Sequence, residues 1–119
     1  MLNNYTDLVV WQRAMDLLEE IYKLVKILPP DERFSLADQM RRAAVSIPSN
    51  IAEGKGRESK KEFIRFLLIA LGSKNELETQ LYICLRVGYL SKDEILQALN
   101  LCDEIGRMTN KLLRILKNE

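Results

Sequence analysis

The densest set of side chains able to hold a ligand lies between residues 41 and 65. There Arg41, Arg42, Lys55, Arg57, Lys60, Lys61 and Arg65 stand against three acids, Glu53, Glu58 and Glu62. Lysine and arginine grouped this way offer donors to phosphate oxygens of RNA or DNA. Gly54-Lys55-Gly56-Arg57 has the look of a phosphate loop, but it follows no strand and lacks the GxxxxGK[ST] spacing. Its chemistry is therefore electrostatic, and a helix starting just after it adds the positive end of its dipole. The plain alternative is a solvated turn that keeps the protein soluble.

A second set is the ribbon Gln39, Arg42, Ser46, Asn50 and Glu53, which recurs at steps of three and four along one helix face. Ser and Asn form exposed helix poorly compared with Lys and Glu. A continuous ribbon of hydrogen-bonding groups therefore points to a polar contact with another helix, subunit or ligand, with packing or assembly favoured over ligand binding. Pro48 frees the carbonyl of Ala44, which a Ser or Arg side chain would cap. Gly72-Ser73 falls inside another helix, and close approach of a neighbour is the simplest compensation for glycine there.

Catalytic chemistry finds little to work with. The chain has no histidine, which removes Ser-His-Asp and Cys-His systems, HExxH sites and the Glu-x-x-His half of a di-iron site. Glu53, Glu62, Glu76 and Glu78 are then isolated carboxylates, and solvated or paired surface glutamate is their ordinary role. Cys84 and Cys102 fall on apolar helix faces, where they read as small hydrophobes; two cysteines make neither a four-cysteine zinc site nor a disulfide framework. No cofactor or metal is expected. Tyr5, Trp11 and Tyr22 could stack bases, although aromatics at such positions usually plug the end of a bundle.

The elements that must position these groups are helices. Five Gly and three Pro in 119 residues, with 47% hydrophobic residues, indicate one globular domain over 1–119 built from long helices. Val10, Ala14, Leu17, Ile21, Leu24 and Leu28 mark a helix from Leu8 to Leu28, with Asp7 as N-cap and Pro29-Pro30 as its stop. Leu36, Met40, Ala43, Ala44, Ile47 and Ile51 mark a second, opened by a Ser35–Asp38 box, kinked at Pro48 and stopped at Gly54; two helices split at Pro48 are the alternative. A third runs from a Ser59–Glu62 box to Gly88 through Phe63, Phe66, Leu67, Ala70, Leu77, Leu81, Cys84 and Leu85. The fourth starts at a Ser91–Glu94 box with a Leu90–Ile95 staple and continues through Leu99, Cys102, Ile105, Leu112 and Leu116. The last two would each be about 40 Å long at 1.5 Å per residue. Short connections make an all-α, antiparallel up-down-up-down four-helix bundle. No apolar run spans a membrane and no signal peptide is evident, so a cytoplasmic protein is expected. Eighteen Lys+Arg against 17 Asp+Glu give a net charge of +1, so nucleic-acid binding would need a local patch.

The segment from Ser35 to Leu81 resembles the four-helix bundle family encoded in intervening sequences of bacterial 23S ribosomal RNA genes. The resemblance rests on Gln39, Arg41-Arg42-Ala43, the run Ser46 to Gly54, Arg57, and then Ala70-x-Gly72-Ser73-x-x-Glu76-Leu77-Glu78-Thr79. The opening Asp7-Leu8-Val9-Val10-Trp11-Gln12-x-Ala14 looks like the family start, and Lys74-Asn75 departs from its more apolar pattern. The resemblance implies an antiparallel bundle without known enzymatic activity. It also implies homo-oligomers, of which pentameric rings are the best attested, and, from a related branch in diversity-generating retroelements, binding to nucleic acid and to a reverse transcriptase. A protein–protein adaptor without nucleic acid is the alternative.

Overall fold

The computed structural model describes residues 4–119; the first three residues of the expected 1–119 domain lie outside it. Its long elements are α1 (Val9–Val25), α2 (Leu36–Gly56), α3 (Lys60–Arg86) and α4 (Lys92–Lys117), with 3-10 turns at Tyr5–Asp7 and Pro30–Glu32 and no strand among the described residues. The apolar stripes explain this. Leu17, Ile21, Met40, Ile47, Ile51, Leu67, Leu77, Leu81, Ile95 and Ile105 are all fully buried in one core fed by all four helices. Each such side chain contributes about 1.5–3 kcal/mol by leaving water.

Each helix packs on its neighbour in sequence, and α1 also packs on α4. Direction follows from which residues meet. Along α2 and α3, Gly54 faces Phe63 and Phe66, Ser46 bonds Ser73, and Met40 meets Cys84. One number falls as the other rises, so these helices lie antiparallel. Along α3 and α4, Lys60 bonds Glu119 and Lys74 covers Gly106, again in opposite order.

Several boundaries differ from the sequence expectation, each for a local reason. Asp7 does not cap α1. Instead Asn4 Oδ1 accepts from Thr6 N at 3.0 Å, and Gln12 Nε2 donates to Thr6 O at 2.8 Å, so Tyr5–Asp7 closes as its own turn and Leu8 enters α1 without a side-chain bond. α1 ends at Val25 rather than Leu28, as the residue before Pro29 is driven out of helical geometry; Leu28 nevertheless stays in the core. The Ser35–Asp38 box does not form. Glu32, from the preceding turn, accepts from Ser35 Oγ at 2.7 Å and Leu36 N at 3.4 Å, while Asp38 accepts from Arg42 Nε at 3.0 Å.

α2 is continuous through a buried Pro48, which rules out the split into two helices. The side-chain bond near Pro48 runs from Asn50 Nδ2 to Ser46 O (2.8 Å), not to Ala44 O. Gly54 is no stop: α2 runs on to Gly56 and Gly54 is buried within it. A Cβ there would sit 2.7 Å from Phe66 Cβ and 3.0 Å from Phe63 Cδ1, so glycine allows α2 and α3 to approach at this crossing. The close approach expected at Gly72 is absent, since nothing lies within 4 Å of a Cβ built there; it is Ser73 that meets α2. The Ser59 half of its box forms (Glu62 N to Oγ, 3.2 Å), and at Ser91 both halves form. Leu90 and Ile95 are both buried beside that cap, while Leu112 and Leu116 are half-buried and Leu113 turns inward.

Candidate nucleic-acid interface

The short turn between α2 and α3 brings Lys55, Arg57, Lys60, Lys61 and Arg65 to one end of the bundle. Aromatic rings support three of them, which leaves the cationic heads at the surface. The Arg57 and Arg65 guanidinium carbons stand 5.2 and 4.4 Å from the centroid of the same Phe66 ring, and Lys55 Nζ is 6.0 Å from that of Phe63. Carboxylates hold two of them in place. Arg57 donates to Glu53 through Nε (3.1 Å) and Nη2 (2.9 Å), and Arg65 donates to Glu62 at 3.1 and 3.2 Å. The Arg65 hydrogen bond holds the Glu62 carboxyl below the usual range, and the same bond raises Arg65. Lys60 Nζ donates to the Glu119 backbone oxygen at 2.8 Å, and Lys61 is exposed.

Arg41 and Arg42 do not join this group. They sit about 20 Å further up α2 at 1.5 Å per residue. Both turn to Asp38 (3.9 and 3.0 Å), and Arg41 also donates to Arg33 O at 3.2 Å. The sequence reading also missed the basic residues toward the end of α4. The Lys60–Glu119 bond ties that end to the start of α3, so exposed Arg114 and Lys117 belong to the same end of the bundle, with exposed Lys111 about 9 Å short of Lys117 along the axis. Their signal in the sequence was the steps of three toward the end of the last helix, legible only once its direction is drawn. On the α1–α4 face the charges are paired: Arg13 bonds Glu104 at 2.9 Å beside Asp16, and Arg107 pairs with Asp103.

The polar ribbon divides. Ser46 Oγ and Ser73 Oγ are 2.8 Å apart, and Asn50 Nδ2 donates to Ser46 Oγ at 2.9 Å, a half-buried link between α2 and α3. Gln39 is exposed, and Arg42 and Glu53 lie in ion pairs with Asp38 and Arg57. An open groove of about 540 Å³ beside the ribbon is lined by Tyr22, Arg42, Ser46 and Ser49 among others.

The other candidate chemistries meet plain partners. Glu76 accepts from Gln80 at 3.3 Å and Glu78 pairs with Lys74 at 3.5 Å; no group of three metal-ligating residues gathers among the described residues. Both thiols are free and buried. Burial, helped by Glu32, pushes Cys84 up to about 11, and burial with the Glu78 charge pushes Cys102 up to about 12, which keeps both protonated and unreactive. No helix among the described residues is long and apolar enough to cross a membrane.

Residues 6–111 match the model of the 23S rRNA-intervening sequence protein family. The chain belongs to that family. A member of the S23 ribosomal protein family from Bacteroides thetaiotaomicron VPI-5482, a crystal structure of a protein with unknown function, superposes with a TM-score of 0.81 at 28% identity; the match covers 87% of this chain and 97% of that one. No curated protein matches. This intervening-sequence protein thus shares its helical fold with a relative whose own function is unknown.

Proposed function

We propose that this protein is a non-catalytic, self-associating bundle that binds structured RNA, or another nucleic acid, through the cationic end formed by the α2–α3 turn. The observation that carries this reading is Lys55, Arg57 and Arg65 set against Phe63 and Phe66, with Lys60 and Lys61 next to them at the positive end of α3. Membership in a family named for ribosomal RNA agrees with it. Self-association supplies avidity that a single modest patch lacks, and a pentameric ring is the assembly that the family resemblance suggests. The outer face of α3, with Leu68, Ile69, Tyr82 and Ile83 each 40–52% exposed, favours assembly through that helix. The same face supports the second reading, an adaptor for another protein, with a reverse transcriptase as one such partner.

Fluorescence anisotropy with a labelled RNA hairpin, repeated at rising salt, tests the first reading. Binding should weaken with a log–log slope near −0.9 per phosphate neutralised, about −4 for four contacts. Replacing Lys55, Arg57, Lys60 and Lys61 together should abolish it while helical content is kept. Unchanged affinity would move the interface elsewhere, and no retention of RNA or DNA at low salt would overturn the reading. Light scattering on Arg42→Ala and Asn50→Ala tests the assembly role of the ribbon; wild-type-sized particles from both would make the ribbon internal packing alone.

A further inference from the structure

One cleft beside the cationic end has the shape and lining for a flat aromatic ligand. The Tyr5 and Trp11 rings meet edge to face with centroids 5.4 Å apart and an interplanar angle of 66°. They open onto a hollow of about 330 Å³ whose other walls are Met15 and Leu18 of α1 and Val45, Pro48, Ser49 and Ala52 of α2. Apart from Ser49 and the Tyr5 hydroxyl its walls are apolar, so a planar ring could slide in against an aromatic face. Both aromatics keep access to water: Tyr5 is 39% exposed and Trp11 is half-buried. A bundle-end plug would be expected to bury its rings, and these are left partly open.

The charge next to the cleft says which planar ligand. Pro48, Ala52 and Lys55 follow at steps of four and three, so they share one stripe of α2, and Lys55 stands about 4.5 Å past Ala52 along the axis. Lys55, whose Nζ lies 6.0 Å from the Phe63 ring of α3, is thus the first cation beyond the cleft along α2. Asp7 is the sole acid of the 3-10 turn, which packs on α2. An apolar slot for a ring that ends at a lysine suits a base whose own phosphate lies one step away. The Ser49 hydroxyl at the rim can bond a base edge.

Resting on the nucleic-acid reading above, we infer that the Tyr5–Trp11 cleft takes an unpaired nucleobase of single-stranded RNA or DNA while Lys55 holds the adjoining phosphate. The protein would then prefer strands with accessible bases over continuous duplex, a choice that phosphate contacts alone do not make.

Trp11 is the only tryptophan, so its emission reports on the cleft directly. The full chain is titrated with oligouridylate, with oligodeoxythymidylate and with a fully paired RNA duplex, following Trp11 emission together with anisotropy of the labelled strand. Both single strands should quench Trp11 in step with binding, and the duplex should bind without quenching. Tyr5→Ala should weaken single-strand binding roughly 5- to 150-fold, the usual loss for one stacked base, and leave duplex affinity unchanged; Tyr5→Phe should restore it. Single strands that bind with salt dependence but leave Trp11 emission unchanged would overturn the cleft and spare the cationic interface. Equal loss of duplex binding in Tyr5→Ala would also overturn it, as a fold defect. If no strand binds, both readings fail together.

Discussion

Two glycines on the long central helices should answer the same substitution in opposite directions. At Gly54 an alanine Cβ would lie 2.7 Å from Phe66 Cβ and 3.0 Å from Phe63 Cδ1. The nearer atom is anchored to the α3 backbone and no rotamer change moves it away. Ordinary contact begins near 3.4 Å, so α2 and α3 must part by several tenths of an ångström at this crossing, loosening the contacts of Phe66 on both arginines. Overpacking of this kind costs about 1–3 kcal/mol, and the anchored contact puts Gly54→Ala at the upper end. Alanine returns up to about 1 kcal/mol of helix propensity. The net expectation is a loss of about 2 kcal/mol, or about 8 °C in Tm for a chain of this length. At Gly72, on the solvent side of α3, nothing lies within 4 Å of the new Cβ, so Gly72→Ala should gain up to about 1 kcal/mol. Urea unfolding followed by circular dichroism measures both. Gly54→Ala as stable as the parent, or both variants shifting the same way, would refute the close approach at Phe66.

The remaining predictions are smaller. Ser91→Ala removes the side-chain half of the capping box at α4 and should cost about 1 kcal/mol, whereas Ser35→Ala, whose hydroxyl makes no cap, should leave helix α2 intact by circular dichroism. Glu32 is held below its ordinary value first by the Ser35 hydroxyl and then by Tyr89, whose Oη donates at 2.7 Å. A lowered carboxylate adds stability that is complete above its unfolded value and is lost as pH falls through the folded one, so Glu32→Gln should flatten the acid limb of stability below about pH 5. Tyr89 is raised, chiefly by the same bond, so its contribution is present below about pH 10 and fades above it. Cys84 and Cys102, pushed up to about 11 and about 12, should resist a thiol reagent at pH 8 until the protein unfolds; rapid labelling of the native protein would show the core to be open.

Sequence alone determined the number and kind of elements. Helical periodicity is a local property, and stripes such as Leu17–Ile21–Leu24 or Ile95–Cys102–Ile105 have one way to leave water together. The Ser91–Glu94 box was equally legible, since a cap needs only residues three apart. Where a competing partner came from an adjoining turn, local reading failed: Glu32 took Ser35, and Asn4 closed Asp7 into a separate turn, leaving α1 without a side-chain cap. The candidate interface was half legible. A run of basic residues is visible in one dimension, but whether its members gather depends on where the helices carry them. Helix rise took Arg41 and Arg42 about 20 Å away, and the return of α4 brought its basic last turn to the same end of the bundle. Gly54 shows the same division. Its sequence position marked a helix end, and only the crossing with Phe66 made it the contact that lets two helices meet. Periodicity acts over a few residues, whereas the charge at one end of the bundle and the room at a crossing are sums over chain segments that meet only after folding.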